Sequence, residues 1–216
     1  MMDQQLTIPI RPSKRGERLW EIVDLLPAQG EWSEEEYLAL NTKQLVEFTD
    51  GMIEVLPMPT VFHQLIAMWL CNSLNNHRIN GGRAGLSIIA TFKLKIRERK
   101  YREPDVLFMK RENLHRVKNE MWDYADFVIE VVSEGGEHRD YVEKVQAYAE
   151  AGVPEYWIAD PATRRVKQLV LEGLQYKEIG DFEGASKVVS KTVDGFEVVA
   201  GELFDHAQRE MTLQNE

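Results

Sequence analysis

The chain has 216 residues, of which 44% are hydrophobic and 29% are charged, and its formal net charge is −10. These fractions are typical of a globular protein, and no stretch approaches the roughly 20 consecutive apolar residues that cross a bilayer, so we expect no membrane segment. The length suits one domain, which we predict over residues 1–216 with a core spanning about residues 35–200.

The cysteine content and the charge narrow the class further. The single cysteine, Cys71, cannot form an internal disulfide, and the N-terminus lacks the basic-then-apolar pattern of a secretory signal. We therefore expect a cytoplasmic protein. The negative net charge argues against broad adhesion to nucleic acid, but it is compatible with a nuclease, since a metal site concentrates acids while a local basic patch holds phosphate.

The first part of the chain predicts an arm, a short helix and a hairpin. Residues 1–27 are irregular and rich in proline, with a short helix near residues 19–25. Ser33 and Glu36 form a capping-box pattern that predicts a helix through residue 40. Asp50-Gly51 between two apolar runs predicts a tight hairpin, in which Glu47 pairs with Glu54. Two opposed acids require water, a cation or a different register.

The next elements are a long helix and an alternating strand. Apolar spacing predicts a helix over residues 60–80 with His63 in its first turn, ended by Gly81-Gly82. Alternation over residues 86–96 predicts one long, half-buried strand. The basic run that continues from it contains Lys93, Lys95 and Arg97. Such a run is usually a solvated strand end, and binding to phosphate is the alternative.

Two strands and a helix then carry the polar residues of interest. Asp105 opens one strand, and Glu130 lies in a second strand over residues 126–132. A helix over residues 139–151 places Asp140, Lys144 and Tyr148 on one face. The strand at residues 156–159 completes a strand, helix, strand unit, which predicts a parallel pair. A hairpin over residues 166–179, two short strands at 188–193 and 196–199 and a polar tail complete the chain.

A carboxylate within a buried strand is costly unless it is paired, so two such acids followed by a lysine indicate a cation site. Hydrolysis of a phosphodiester needs a divalent cation, and Mg²⁺ takes oxygen ligands. Asp105 and Glu130 would supply carboxylates, and the carbonyl of Val131 a third oxygen. Lys144 would orient the attacking water or stabilise the developing charge.

These residues resemble the PD-(D/E)xK nuclease superfamily and, within it, the Uma-type restriction endonuclease family. The resemblance covers roughly residues 35–160 and rests on Pro104-Asp105, Glu130-Val-Val-Ser133, Arg139-Asp140, Lys144 and Ala151-Gly-Val-Pro-Glu-Tyr-Trp157. Two positions depart from the pattern: Val132 replaces the usual strand lysine, and Ser133-Glu-Gly-Gly-Glu replaces a Ser-Pro connection. In that family the lysine is thought to lie on the following helix, which implies Lys144.

The resemblance implies an α/β fold with a mixed central β-sheet flanked by helices, an N-terminal arm and extra C-terminal strands. It implies a Mg²⁺-dependent endonuclease, with Mn²⁺ as a possible substitute, that cleaves DNA and acts as a homodimer. It also implies that Glu47 lies near the site. His63 is then a candidate to contact the substrate or to support the residues that do. Asp140 is the further candidate for such a supporting role.

Other readings of the same residues remain open. Glu130 and Lys144 can form a buried salt bridge with no metal, and Asp105 can pair with Arg102 or Lys93. Asp140 can simply stabilise the start of its helix. The alternative function is then a non-catalytic interaction module that keeps the nuclease fold, and hydrolysis of another phosphate ester is a third possibility.

Overall fold

The computed structural model describes residues 26–40, 42, 44–81 and 85–213, so the short helix predicted at residues 19–25 lies outside the described part. The helices are α1 (Glu34–Ala39), α2 (Val61–Asn80), α3 (Lys144–Glu150) and α4 (Ala200–Leu213), with a 3₁₀ helix at Arg111–Arg116 and a π-helical turn at Arg139–Glu143. The strands are β1 (Val46–Thr49), β2 (Met52–Val55), β3 (Gly85–Ile89), β4 (Lys93–Arg97), β5 (Lys100–Arg102), β6 (Val106–Lys110), β7 (Met121–Trp122), β8 (Phe127–Val131), β9 (Glu155–Asp160), β10 (Arg165–Glu172), β11 (Gln175–Glu183), β12 (Lys187–Val189) and β13 (Glu197–Val199).

A mixed sheet of six strands forms the centre of the fold, in the order β11-β10-β9-β8-β6-β3. Only β8 and β9 pair in parallel within it, as the strand, helix, strand unit predicts. A second sheet has the order β2-β1-β5-β4-β7, and β12 and β13 form a small third sheet. The predicted α/β class, with a mixed sheet and additional C-terminal strands, is confirmed.

Helices cover both faces of the central sheet. Side chains alternate along β8, since Phe127 and Ile129 face one core and Val128 faces another. The first core contains residues of α2 and α4, and the second contains residues of α3 and of β4. Because Glu130 alternates with Ile129, its side chain lies on the face covered by α3.

Two expectations about the chain are corrected. The alternating run over residues 86–96 is not one strand: β3 pairs with β6 in the central sheet, whereas β4 pairs with β5 and β7 in the second sheet. The alternation continues on both sides of the break, so the pattern gives no sign that the chain changes sheets. Helix α4 has no counterpart among the predicted elements, because its large buried side chains, Leu203 and Phe204, are few among polar neighbours.

The N-terminal helix is connected to the second sheet through Glu34. The capping box of Ser33 and Glu36 is present as predicted. The Glu34 carboxylate accepts hydrogen bonds from Lys95 Nζ at 2.6 Å, from the Arg99 N–H at 2.9 Å and from the Tyr101 hydroxyl. Burial opposes ionisation of this carboxyl, but these donors outweigh it and lower the pKa of Glu34 to about 2.

This shift predicts a pH-dependent effect of Glu34→Gln on stability. The pKa of Glu34 is lower in the folded chain than its ordinary value of 4.5, so its contribution is complete above that pH and is lost as the pH falls towards 2. The difference amounts to at most about 3 kcal/mol at neutral pH, since one pKa unit corresponds to about 1.4 kcal/mol. Urea unfolding is expected to show a deficit of about 2 kcal/mol for the variant at neutral pH, narrowing between about pH 5 and about pH 3.

The neighbouring variant Glu35→Gln is the control for this measurement, because Glu35 lies in the same turn and is exposed. It is expected to change stability by less than about 0.5 kcal/mol. An equal deficit for Glu34→Gln at neutral and acidic pH would contradict the assignment of the effect to the ionised carboxylate.

Candidate active site

Asp105 and Glu130 meet at one end of the central sheet. Strands β6 and β8 are antiparallel with Val106 opposite Ile129, so Asp105, the residue before β6, lies beside Glu130. The Asp105 N–H donates to Glu130 Oε2 at 3.3 Å, and Asp105 Oδ2 accepts from the Val131 N–H at 2.8 Å. The two predicted carboxylates are thus brought together by the pairing of two neighbouring strands.

The helix after β8 brings Lys144 to the same place. Lys144 Nζ lies 3.0 Å from Glu130 Oε2 and 2.9 Å from Asp140 Oδ1. The Tyr148 hydroxyl, one turn further on, donates to Glu130 Oε1. The predicted shared face of Asp140, Lys144 and Tyr148 is confirmed, and all three side chains are buried.

Helix α2 contributes His63 from its first turn. Thr60 caps this helix by accepting a hydrogen bond from the His63 N–H at 3.2 Å. His63 Nε2 lies 3.0 Å from Asp105 Oδ1, and Nδ1 lies 3.3 Å from the Ser133 hydroxyl oxygen. The imidazole therefore connects Asp105 to the loop that leads from β8 towards α3.

The acids of this cluster and Lys144 shift one another's pKa values. Burial raises the pKa of Glu130 well above its usual range, and the charges of Asp105 and Asp140 add to this effect, while Lys144 opposes it. Burial also disfavours the charged form of Lys144, but Glu130 and Asp140 outweigh it and raise the pKa of the ammonium. The cluster thus keeps Lys144 protonated and holds three acids, Asp105, Glu130 and Asp140, close to one ammonium.

Asp105 differs from the other acids of the cluster. Burial acts against its charge, yet His63, Lys144 and the Val131 N–H outweigh burial and lower the pKa of Asp105. Its side chain also keeps 13% of its surface exposed, whereas that of Glu130 keeps 1%. Asp105 is therefore the ionised acid of the pair that is open to an incoming molecule.

A cavity of about 410 Å³ opens above this cluster. Its described polar and charged lining residues are Glu54, His63, Glu103, Asp105, Ser133, Glu134, His138, Arg139, Asp140, Glu143 and Lys144, and Val131 also contributes. Glu130 is not among them, and its side chain is almost fully buried. Of the predicted polar residues, His63, Asp105, Asp140 and Lys144 therefore share a cavity that solvent reaches.

Comparison with known proteins decides the family. A family model named Uma2 and described as "Putative restriction endonuclease" matches residues 34–201. The chain belongs to the Uma2 family. The resemblance predicted from the sequence is confirmed, and the matched range includes every candidate site residue from Glu47 to Lys144.

The chain is also similar to a crystal structure described as a "putative nuclease" from Anabaena variabilis ATCC 29413, with a TM-score of 0.68 and 17% sequence identity. The similarity covers 82% of this chain and 99% of that one, and at this identity it establishes the fold. No curated protein matches the chain. Membership of the Uma2 family and the shared fold support a nuclease.

Two absences are observed within the described ranges. No group of three or more His, Cys, Asp and Glu side chains is arranged so that it could hold a metal ion by itself. No described helix combines the length and the apolar character needed to span a bilayer.

Glu47 lies next to the site of this Uma2 protein without lining its cavity. The register of the hairpin is the predicted one, with Glu47 opposite Glu54. Glu47 is buried, with Oε2 at 3.4 Å from Arg102 Nε, whereas Glu54 contacts Arg139. The two opposed acids thus each have an arginine, and Arg102 pairs with Glu47 in place of Asp105. Glu47 still adds to the negative field that raises the pKa of Lys144.

The predicted DNA contacts lie elsewhere and already have partners. Lys95 forms an ion pair with Glu34, and Arg97 forms ion pairs with Asp50 and Glu150. Lys93 Nζ lies 4.7 Å from the centre of the Tyr37 ring. None of the three basic residues lines the cavity above Asp105, and binding of DNA by Lys93, Lys95 and Arg97 stays a prediction.

Several residues of the site were missing from the candidates. Glu103 lines the cavity, and its Oε2 has no hydrogen-bond partner among the described residues. Burial raises the pKa of Glu103 to about 7, against the charge of Lys93. Tyr148 is predicted to share the helical face of Asp140 and Lys144 but is not among the candidate site residues, yet its hydroxyl donates a hydrogen bond to Glu130. The available signal for Glu103 was its position directly before Pro104-Asp105.

Proposed function

We propose that this protein is a Mg²⁺-dependent endonuclease that hydrolyses DNA phosphodiester bonds at the cavity above Asp105. The proposal depends on one observation: Glu130 Oε2 lies 3.3 Å from the backbone nitrogen of Asp105 and 3.0 Å from Lys144 Nζ, and Asp105 and Lys144 line that cavity. Membership of the Uma2 family and the nuclease-like fold support it.

The donor set fits a hard divalent cation. Asp105, Glu130 and Asp140 all lie close enough to the ammonium of Lys144 to raise its pKa, and Asp105 is the ionised acid that is open to the cavity. Mg²⁺ commonly takes only one or two carboxylates, with waters and substrate phosphates completing its shell, so a three-residue cage is not required. Asp105, Glu130 and the carbonyl of Val131 would hold the ion, and Mn²⁺ suits the same oxygen ligands.

The side chains of the site have separate roles in this proposal. A bound Mg²⁺ supplies charge stabilisation to the phosphate and lowers the pKa of the attacking water. Lys144, kept protonated by Glu130 and Asp140, stabilises negative charge that develops on the phosphate. His63 holds the orientation of Asp105, and Glu47 reinforces the field that keeps Lys144 charged.

By analogy with nucleases of this fold, we propose a cytoplasmic homodimer that cuts both strands of the DNA.

The competing proposal is a non-catalytic interaction module. The contacts of Lys144 with Glu130 and Asp140 are those that a purely structural ion-pair network would also make. In that case the wild-type protein has no metal site, and Glu130→Gln acts only on stability, by about 3 to 5 kcal/mol.

Titration calorimetry with Mg²⁺ and Mn²⁺ separates the two proposals. The wild-type protein is expected to bind the ion, and Glu130→Gln to weaken binding at least about 10-fold. Asp126→Asn is the matched control, since Asp126 is a buried acid directly before the other end of β8. Its carboxylate accepts hydrogen bonds from the backbone N–H of Lys110, the side-chain amide of Asn113 and the hydroxyl of Tyr124. Absence of both metal binding and Mg²⁺-dependent cleavage in the wild-type protein would leave the interaction module.

A further inference from the structure

An ion pair joins two lining residues at the exposed side of the cavity. Arg139, in the π-helical turn before α3, contacts the carboxylate of Glu54 on β2. The side chain of Arg139 is 25% exposed and that of Glu54 is 54% exposed. The contact therefore connects the hairpin of the second sheet to the segment that carries Asp140 and Lys144, in a place that solvent reaches.

Arg139 is the accessible cation of the cavity. Among the described lining residues, only Arg139 and Lys144 carry a permanent positive charge. The side chain of Lys144 is 7% exposed, and its ammonium already contacts the carboxyl groups of Glu130 and Asp140. Six lining residues are acidic: Glu54, Glu103, Asp105, Glu134, Asp140 and Glu143. A phosphodiester that enters therefore meets a negative wall, and Arg139 is the group able to offset it.

The pairing of Glu54 with Arg139 is not needed by the hairpin. Glu47, which lies opposite Glu54, makes its own contact with Arg102. An ion pair as exposed as that of Glu54 and Arg139 contributes little net stability, because water and ions screen it. A guanidinium presents a planar set of N–H donors that matches the oxygens of a phosphate group, so an incoming phosphate can replace the carboxylate.

We infer that Arg139 binds a backbone phosphate of DNA beside the active site, and that Glu54 occupies this phosphate site in the free protein. The inference rests on the proposed nuclease function and adds to it a substrate-binding residue and a built-in competitor. DNA must displace the Glu54 carboxylate to reach Arg139, so Glu54 lowers the affinity for DNA and disfavours the binding of weak anions.

Fluorescence anisotropy with a labelled DNA duplex in EDTA tests the inference without metal or cleavage. Glu54→Gln is expected to tighten the Kd by about 3- to 5-fold, the equivalent of a screened ion pair. Arg139→Ala is expected to weaken it by about 10-fold, as for the loss of one charged hydrogen-bonding contact. The double variant is expected to match Arg139→Ala, because Glu54 acts only through Arg139.

Asp205→Asn provides the matched control. It removes one negative charge and separates an exposed ion pair with Arg164, and neither residue lines the active-site cavity. Its Kd is expected to stay close to that of the wild-type protein. An equal gain in affinity for Glu54→Gln and Asp205→Asn would overturn the inference, and so would a gain from Glu54→Gln that persists in the Arg139→Ala background.

The outcome also separates this inference from the proposed function. If the wild-type protein cleaves DNA with Mg²⁺ but all four variants bind DNA with the affinity of the wild type, only the role of Arg139 and Glu54 is overturned and the nuclease proposal stands. If neither the wild-type protein nor the Glu54→Gln variant binds or cleaves DNA, the nuclease proposal is overturned, and the inference with it.

Discussion

Asp105→Asn is expected to lower Mg²⁺-dependent cleavage of DNA by roughly 10³-fold or more while leaving the protein folded. The amide keeps the shape of the carboxylate and can still accept the Val131 N–H, which Asp105 Oδ2 accepts at 2.8 Å. It removes the one negative charge of the Asp105 and Glu130 pair that is open to the cavity. The fold therefore retains its hydrogen bond, whereas the proposed cation site loses one of the ligands proposed for it.

Cleavage of a supercoiled plasmid measures the activity, and circular dichroism with urea unfolding checks the fold. Asp126→Asn makes the same chemical change at a buried acid that does not line the cavity, and it is expected to keep cleavage within about 3-fold of wild type if the protein stays folded. Full cleavage by a folded Asp105→Asn variant would eliminate the site assignment.

The parts of this site that the sequence predicts are those with short-range patterns. Asp50-Gly51 specifies a hairpin and its register, so the pairing of Glu47 with Glu54 is found as predicted. The four-residue spacing of Asp140 and Lys144 places both on one helical face, and their side chains meet at 2.9 Å. In both cases the partners lie within a few residues of one another, and local geometry alone decides the outcome.

The parts that could not be predicted depend on contacts between distant segments. Arg139 and Glu54 are 85 positions apart, and nothing near either residue identifies its partner. The break between β3 and β4 is equally hidden, because alternation reports which face is buried and not which sheet receives the strand. Asp105 and Glu130 come together because β6 pairs with β8, and periodicity does not show which strands pair. The family resemblance therefore predicts the convergence of Asp105, Glu130 and Lys144 better than periodicity does.

Glu155 shows how a residue inside a recognised motif can have a role that the motif does not reveal. It begins β9 within the Ala151–Trp157 stretch and is fully buried. Its carboxylate accepts hydrogen bonds at 2.7 Å from Trp157 Nε1 and from Gln168 Nε2. It also accepts from the Ser190 hydroxyl at 2.7 Å and from the N–H groups of Thr192 at 2.7 Å and Lys191 at 3.0 Å. One side chain thus connects the central sheet to the segment after β12.

Glu155→Ala is expected to reduce the free energy of unfolding by about 5 kcal/mol, because each buried donor left without a partner costs about 1 to 3 kcal/mol. A loss of this size approaches the whole stability of an ordinary domain, which is about 5 to 15 kcal/mol, so the variant should be partly unfolded at moderate temperature. Glu155→Gln is expected to lose less, since its amide oxygen still accepts while its amide nitrogen faces other donors.

Urea unfolding compares these variants with Glu172→Ala, since the side chain of Glu172 is 60% exposed and forms an ion pair with Lys177. That surface control is expected to shift stability by no more than about 0.5 kcal/mol. Because β9 lies directly beside β8, with Ile158 opposite Glu130, loss of the Glu155 contacts should also loosen the strand that carries the candidate ligand. A change of less than about 1 kcal/mol for Glu155→Ala would mean that the five donors find other partners and that this carboxylate does not hold the sheet to its C-terminal segment.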